Sequence, residues 1–491
     1  MDITLQEISC IIDNYKEVKK MLHIDRNSNL PIYQQIYEQI KSDILSGNFP
    51  EGLRITSIRA LASELKVGRN SVKNAYEQLV LEGYITGIPG SGYVVNKLDF
   101  YLHQELSDYQ KHEKWSTRQS DNTVNKIRYS FQYGELEAAS FPNKLWCTYV
   151  ADILDGPQAQ LVHGLGDVKG DLELRQQLKQ YLYRSRGVKC ETEQIIICSG
   201  TQLALEIIIR IFPCGKKVAM EEPCYDGAST VFQSNGFEIQ TVPVDKNGID
   251  IKRLSSMSVP MVHIAPSHQF PTGAVMPIQN RMEILNLAYR RNMVIIEDDY
   301  DSEFRYKGLP IPSLQSIDQA ERVIYVGTFS KALSAGLRMA YLVLPYWLLS
   351  AYNEKYRGYQ CTVPLLQQRV LAKFMRDGHW EKHIRKLCLS QKRKHDILVD
   401  AIKKNMDGKV RIYGHEAGLH ILMEFTDGQK EDVLIQKALA CGVQVCPVSP
   451  FWLNNADNQG NFIVLGYGKI KEKDIVPAIE LLADIWFNST N

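Results

Sequence analysis

Residues 325–345, YVGTFSKALSAGLRMAYLVLP, decide the fold of the larger part of this chain. The apolar residues that lead into this segment (VIYVG) predict a buried strand with Thr328, Ser330 and Lys331 at its carboxyl end, where open α/β sheets bind ligands. A lysine in such a place can form an imine with an aldehyde cofactor. The guanidinium of Arg338, seven residues after the lysine, suits a phosphate. Taken alone, a Ser-Lys pair is more often an ordinary surface feature.

An acidic run precedes this segment at the end of another apolar strand, Met293 to Ile296. Asp298 at such a strand end can pair with a pyridine nitrogen and keep the ring protonated. Tyr300 can donate a hydrogen bond to the phenolic oxygen of the same ring. Acidic side chains at a strand end can equally bind a metal ion, so this run alone leaves both interpretations open.

A third segment, QIIICSGTQLALEIIIR, predicts a strand, a turn of small residues and the start of a helix. The turn contains Ser199, Gly200 and Thr201. A helix N-terminus that follows such a turn is an anion site, because its backbone N–H groups point at the ligand. The alternative is a plain strand-to-helix turn with a Ser or Thr cap, which is common.

Two more segments offer contacts to an aromatic ring. Tyr225, in VAMEEPCYDGA, can stack on a cofactor, or it can be a core tyrosine. The tight turn in HIAPSHQFPTGAVMP brings His268, Gln269 or Phe270 near the same place. A lone histidine in such a position is more often structural than chemical.

Composition and hydrophobic pattern divide the chain into four regions. Residues 1–29 are an extension, and residues 30–96 hold short periodic segments closed by a glycine-rich hairpin. Residues 97–127 are polar and poor in aliphatic side chains, which is typical of a linker. Residues 128–491 alternate strand-like apolar runs with longer amphipathic segments. This alternation predicts an α/β fold with a mostly parallel sheet.

Two short amphipathic helices are predicted in the second region. Ser57 suits an N-cap, and apolar residues recur at i, i+3, i+4 and i+7 from Ile58. After the turn at 66–68, the same spacing recurs from Val72 until Gly83 stops the helix. This arrangement matches a helix-turn-helix, whose second helix enters the DNA major groove. The alternative is a helical hairpin used only for packing or dimerisation.

A β-wing is predicted directly after these helices. Residues 84–86 and 93–95 read as two strands, and residues 87–92 form the loop between them. Gly90 leaves room for backbone amides to approach DNA phosphates, and Ser91 adds a hydroxyl.

The helices, the wing and the preceding PIYQQIYEQIKSDILSGNFPEGLRI together resemble the GntR winged-helix family. The resemblance implies contacts to double-stranded DNA from the wing, including Gly90 and Ser91, and from Arg59, Arg69, Ser71 and Lys73. Acidic residues offset much of the basic charge of this region. Binding by one copy is therefore expected to be weak, which favours a homodimer.

The segments SGTQ, EEPCY, SHQFPTG, EDDYDSEF and FSKALSAGLR, in this order, resemble the fold-type I aminotransferases. HGLGDVKGDLELRQQLKQYLYRSRGV adds to the match, which is most specific for the MocR subfamily of GntR regulators. The resemblance implies a large domain that binds pyridoxal 5′-phosphate and a smaller C-terminal α+β subdomain. It assigns Lys331 to the internal aldimine, Asp298 to the pyridine nitrogen, Tyr300 to the ring oxygen and Tyr225 to ring stacking. It assigns the phosphate to Ser199, Gly200, Thr201, Ser330 and Arg338.

The chain departs from the aminotransferase pattern at two positions. Phe270 stands where an asparagine usually bonds the ring oxygen, and Val464 stands where an arginine usually binds the substrate carboxylate. The loss of such a charge-assisted pair weakens carboxylate binding. Arg411 or another arginine could substitute for it.

These departures favour a transcription regulator that senses pyridoxal phosphate or an amine effector. An aminotransferase with an accessory DNA-binding domain is the alternative, and the resemblance implies a homodimer in either case. The net charge of +1 requires any DNA-binding patch to be local. Ten scattered cysteines without a C-x-x-C pair suggest buried thiols and no metal site. The chain shows no signal-peptide pattern and no membrane-length apolar run, so we expect a cytoplasmic protein.

Overall fold

The structure, a computed structural model, describes residues 22–90, 92–98, 127–157, 159–212, 215–306, 311–454 and 460–488. The chain divides into two compact units, Met1–Asn122 and Thr123–Asn491. We call them the N-terminal unit and the C-terminal unit. Most of the predicted extension and linker (residues 1–21 and 99–126) lies outside the described residues.

The described part of the N-terminal unit contains three helices and a small antiparallel sheet. Its elements are α1 (Ile32–Leu45), β1 (Arg54–Ile55), α2 (Ile58–Glu64), α3 (Arg69–Leu81), β2 (Ile85–Ile88) and β3 (Gly92–Val95). The predicted N-cap is confirmed, because Ser57 Oγ accepts a hydrogen bond from the Ala60 backbone N–H at 3.3 Å. The apolar stripe of α3 is buried from Val72 to Leu79 against α1 and α2. Two helices joined by a tight turn and followed by a wing form a winged helix-turn-helix.

The wing strands are longer than predicted, and a third strand joins them. β2 and β3 pair from Ile85 opposite Val95 to Ile88 opposite Gly92, which shortens the loop to three residues. β1 pairs with the other edge of β3, with Arg54 opposite Val94. The sequence did not predict β1, because two residues are too few to show the alternation that identifies a strand.

Helices and strands alternate along the first part of the C-terminal unit. Its first elements are β4 (Tyr129–Ser130), α4 (Asn143–Asp155), α5 (Leu172–Arg186), β5 (Ile195–Cys198), α6 (Thr201–Ile211), β6 (Lys217–Glu222), α7 (Asp226–Ser234), β7 (Glu238–Asp245), β8 (Gly248–Ile249), α8 (Ile251–Ser255), β9 (Met261–Ile264), α9 (Ile278–Arg291), β10 (Val294–Asp299) and α10 (Leu314–Ile317). They are followed by β11 (Val323–Thr328), β12 (Ala340–Val343), α11 (Tyr346–Lys355), α12 (Leu365–Arg376), α13 (His379–Met406), β13 (Val410–Tyr413), β14 (His420–Phe425), α14 (Glu431–Ala440), β15 (Val443–Gln444), β16 (Phe462–Gly466) and α15 (Glu472–Phe487).

Eight strands form the central sheet in the order β5-β12-β11-β10-β9-β6-β7-β8. The central strands β11, β10, β9, β6 and β7 are parallel, as predicted. The sheet as a whole is mixed, because β12 runs antiparallel to β11 and β5, and β8 runs antiparallel to β7. The short connections into β12 and β8 explain this direction, since a parallel crossover needs a longer connection. The parallel strands bring their carboxyl ends to one edge.

The predicted smaller C-terminal α+β subdomain is confirmed. It contains the antiparallel sheet β13-β14-β16, which packs against α13, α14 and α15. Ile421 from β14, Ile463 from β16 and Leu482 from α15 are fully buried in this second core. No helix among the described residues is both long enough and apolar enough to cross a membrane.

Candidate functional site

A cavity of about 220 Å³ lies at the carboxyl edge of the parallel strands of the C-terminal unit. Seven of the residues predicted to bind a cofactor line this cavity: Thr201, Tyr225, Asp298, Tyr300, Ser330, Lys331 and Arg338. They come from segments far apart in the chain, and the ends of β6, β10 and β11 bring them together. Ser199 and Gly200 are not among the lining residues.

Lys331 lies just beyond the end of β11 with its amine directed into the cavity. Its Nζ lies 3.3 Å from the backbone oxygen of Gly134 and 4.1 Å from the centre of the Tyr133 ring. Removal from water lowers the pKa of Lys331 to about 8, although the carboxylates of Asp301 and Asp298 oppose this change. This lowered pKa brings the amine closer to deprotonation at neutral pH, and a nucleophilic lysine needs the uncharged form.

The three consecutive acidic residues of β10 have different roles, because successive side chains of a strand point to opposite faces. Glu297 accepts hydrogen bonds from the backbone N–H groups of Leu314 and Gln315. Asp299 forms an ion pair with Arg186 at 2.7 Å, away from the cavity. Only Asp298 of the three lines the cavity. The three carboxylates therefore do not form a common metal site.

Asp298 offers a buried acceptor to a ligand. The residue is 5% exposed, and its Oδ1 has no hydrogen-bond partner among the described residues. Its Oδ2 lies 3.5 Å from His263 Nε2. Nearby, burial raises the pKa of Glu221 to about 8, and the negative charge of Asp298 contributes to this shift. A buried carboxylate oxygen without a donor is costly, so this site favours a ligand that carries an N–H group.

A second group of residues at the cavity suits an anion. Thr201 is the first residue of α6, and the guanidinium of Arg338 approaches the start of this helix. A Cβ atom on Gly200 would lie 2.6 Å from Arg338 Nη2, and Gly200 has a φ of +90°. Gly200 thus permits the close approach of the arginine, although it does not line the cavity. The Ser199 backbone N–H instead donates to Thr362 Oγ1 at 3.1 Å.

Aromatic side chains form the remaining walls. Tyr225 lines the cavity and is 38% exposed. Phe270 is buried, and its ring stacks on Tyr133 with the centres 4.9 Å apart. The hydroxyl of Tyr300 lies 3.1 Å from His268 Nδ1. These rings suit a flat aromatic ligand.

His268, Asp301 and His420 are buried beside the cavity, and one possible ligand atom from each lies within 4.8 Å of the others. Their hydrogen bonds account for part of this arrangement. His268 Nδ1 lies 2.9 Å from Asp301 Oδ2, and His420 Nε2 lies 3.1 Å from the backbone oxygen of Pro271. We therefore describe His268 and Asp301 as a hydrogen-bonded pair, whereas His420 bonds to the backbone.

Lys331 and Arg338 are the only lysine and arginine among the described residues that line the cavity. Because Arg338 is predicted to bind the phosphate, none of these described residues is a further arginine for a substrate carboxylate. Val464 is fully buried in β16. Arg411, the possible substitute, is 69% exposed and lies 3.7 Å from Glu424. It does not line the cavity.

The predicted DNA contacts lie in and near the helix-turn-helix. Arg59, Arg69 and Lys73 are exposed, and Ser71 is partly exposed. Lys73 Nζ lies 3.5 Å from Glu77, and both side chains are more than half exposed. Gly90 follows β2 in the wing with a φ of +73°, whereas Ser91 falls outside the described residues.

The lining residues that sequence reasoning missed include Tyr133, Gly134, Glu221 and His263. Tyr133 and Gly134 stand outside any strong periodic pattern, so nothing local identifies them. Glu221 and His263 gave a usable signal, because each is an ionisable residue inside an apolar strand. Such residues are rarely buried without a partner.

Comparisons with known proteins match both units. Residues 32–95 match the family described as bacterial regulatory proteins, gntR family, and residues 152–462 match aminotransferase class I and II. The uncharacterized HTH-type transcriptional regulator YdeL of Bacillus subtilis is 36% identical over 94% of this chain and 98% of its own length. The probable rhizopine catabolism regulatory protein MocR of Rhizobium meliloti is 30% identical over 94% of this chain and 95% of its own.

A solved structure with the same fold as the C-terminal unit is the kynurenine aminotransferase of Pyrococcus horikoshii in complex with PMP. It is 26% identical, with a TM-score of 0.67 over 77% of this chain and 98% of that chain.

Proposed function

Since this chain belongs to the MocR subfamily of GntR transcription regulators, we propose that its C-terminal unit binds pyridoxal 5′-phosphate through Lys331 and controls DNA binding by the N-terminal unit. The signal is pyridoxal phosphate itself or an amine captured at the same site. Control of this kind requires that the ligand bind two conformations with different affinity.

The convergence of Lys331, Asp298 and Arg338 on one cavity carries the proposal. These side chains match the three reactive or charged parts of pyridoxal phosphate. Lys331 offers an amine to the aldehyde, Asp298 an unpaired acceptor to the pyridinium N–H, and Arg338 a cation to the phosphate. The donor set therefore fits this cofactor.

Each side chain has a defined task at this site. Asp298 would accept a hydrogen bond from the pyridine N–H, and Thr201 and Ser330 would add hydroxyl donors to the arginine at the phosphate. Tyr225 would cover one side of the ring, and Tyr300 would donate to the ring oxygen, since both residues line the cavity. When bound, pyridoxal phosphate supplies an aldehyde that amines can capture and a ring that accepts electrons.

The absorption spectrum of the purified protein tests this assignment. Protein mixed with pyridoxal phosphate should develop the visible band of the lysine-linked cofactor, and Lys331→Ala should abolish this band. Lys403→Ala is the matched control, because Lys403 is an exposed residue of α13. A band that survives in Lys331→Ala would show that another amine holds the cofactor.

The absence of a carboxylate arginine from the described lining of the cavity favours a sensor over an enzyme. We propose that the signal is pyridoxal phosphate itself, or an amine without an α-carboxylate. An aminotransferase with an accessory DNA-binding domain is the second candidate, supported by the class I and II family match. Turnover of amino acids with keto acids separates them, because a sensor should show little or none.

We further propose that the regulator acts on double-stranded DNA in the cytoplasm as a homodimer. The operator would be contacted by the exposed side chains of Arg59, Arg69 and Lys73 and by the partly exposed Ser71. The wing would add contacts at Gly90 and Ser91. Two winged helices in one dimer would read two half-sites, and the spacing of the half-sites would reflect the dimer geometry. Light scattering of the purified protein tests the dimer directly.

A further inference from the structure

We propose that the buried pair His268 and Asp301 orients the hydroxyl proton of Tyr300 into the cofactor cavity. His268 and Asp301 are thus positioning residues, which act on the cofactor through Tyr300. The inference rests on the proposed function, because the acceptor of this proton is the ring oxygen of bound pyridoxal phosphate.

Three oxygen atoms converge on a single ring nitrogen. His268 Nδ1 lies 2.9 Å from Asp301 Oδ2 and 3.1 Å from Asp301 Oδ1. The hydroxyl of Tyr300 lies 3.1 Å from the same Nδ1. His268 and Asp301 are 3% and 2% exposed, so water does not compete for these contacts.

A histidine ring nitrogen has one site in the ring plane, which is either an N–H or a lone pair. A lone pair on Nδ1 would face the Asp301 carboxylate, whereas an N–H donates to it in a charge-assisted hydrogen bond. The carboxylate thus selects the tautomer with the proton on Nδ1. This nitrogen then cannot accept the Tyr300 proton, which remains available to the cavity.

The backbone at Gly418 permits this close arrangement. A Cβ atom on Gly418 would lie 2.0 Å from His268 Cε1 and 2.8 Å from Asp301 Oδ2. Gly418 also has a φ of +80°, which favours glycine. The pair is therefore enclosed by main chain on one side, and a side chain at position 418 would displace it.

Other ionisable groups also surround Tyr300. Asp301, Tyr133, Asp298 and Glu221 raise the pKa of its hydroxyl, although burial has the largest effect. The ring centre of His420 lies 5.1 Å from that of His268, and Lys331 is close enough to interact with Asp301. The substitutions below replace only His268 and Tyr300 and leave the other groups in place. A change in the absorption of these variants therefore reports on the hydrogen bonds of His268 and Tyr300.

The test compares His268→Phe, Tyr300→Phe and the double variant, each loaded with pyridoxal phosphate. The measurement is the pH midpoint of the visible absorption change. Without a donor directed at its ring oxygen the bound cofactor holds its proton more tightly, so Tyr300→Phe should raise the midpoint by about one pH unit. His268→Phe keeps the hydroxyl but removes the group that orients it, so it should raise the midpoint by part of this amount. The double variant should match Tyr300→Phe, because His268 acts only through the Tyr300 hydroxyl.

Tyr306→Phe is the control, because the Tyr306 hydroxyl donates to the Gly418 backbone oxygen at 2.6 Å. It should reduce stability without moving the midpoint. If His268→Phe does not fold, His268→Asn serves as the second variant. An unchanged midpoint in the histidine variant, or shifts that add in the double variant, would overturn the inference. A wild-type protein without any visible band would instead overturn the proposed function.

Discussion

Replacement of Arg338 by methionine should specifically weaken binding of the phosphate group of pyridoxal phosphate. Arg338 is the one arginine among the described residues that line the cavity. Gly200 allows its guanidinium to reach the first turn of α6. A hydrogen bond to a charged group contributes about 1.5–3 kcal/mol. Since each 1.4 kcal/mol corresponds to about a factor of ten, the Kd for pyridoxal phosphate should rise roughly 10- to 100-fold.

The assay is a spectroscopic titration with pyridoxal phosphate and with pyridoxal, which lacks the phosphate. Wild-type protein should prefer the phosphorylated form, and Arg338→Met should lose most of this preference while its affinity for pyridoxal changes little. Arg411→Met provides the matched control, because Arg411 is exposed, pairs with Glu424 and does not line the cavity. Equal loss of affinity for both ligands, or no loss for either, would refute the assignment of the phosphate to Arg338.

Three further predictions concern charge. Because removal from water lowers the pKa of Lys331 to about 8, the uncharged amine increases as pH rises through this value, and the rate at which the visible band forms should rise and then level off above it. Arg186→Met leaves the buried Asp299 carboxylate without its ion-pair partner, so chemical denaturation should show a loss of about 3–5 kcal/mol. Lys73→Ala should weaken DNA binding at all sequences and reduce the salt dependence by about one phosphate contact, as measured by fluorescence anisotropy at several salt concentrations.

The parts of the fold with local signals could be predicted from the sequence. The cap at Ser57 and the apolar spacing from Val72 depend on residues within a few positions of each other. The central parallel strands were equally predictable, because strands buried on both faces are almost continuously apolar. Asp298 lies near the end of one such strand, and Lys331 follows the end of another. Their place at one edge of the sheet therefore followed from the α/β fold.

The remaining features depend on contacts between distant parts of the chain. Tyr133 and Gly134 reach Lys331 across almost two hundred positions, and no pattern near either one indicates this contact. The pair of His268 and Asp301 is likewise a tertiary contact between two strand ends. The direction of β12 depends on a connection too short for a parallel crossover. Hydrophobic periodicity reports burial, and it does not identify the neighbours of a side chain.

The central claim joins cofactor binding in one unit to DNA binding in the other. Genomic footprinting with and without pyridoxal phosphate would locate the operator, and the affinity for this operator can then be measured in wild-type protein and in Lys331→Ala. The proposed function predicts that pyridoxal phosphate changes the operator affinity of the wild-type protein and leaves that of Lys331→Ala unchanged. Equal affinities in wild-type protein with and without the cofactor, or the same response in both proteins, would contradict it.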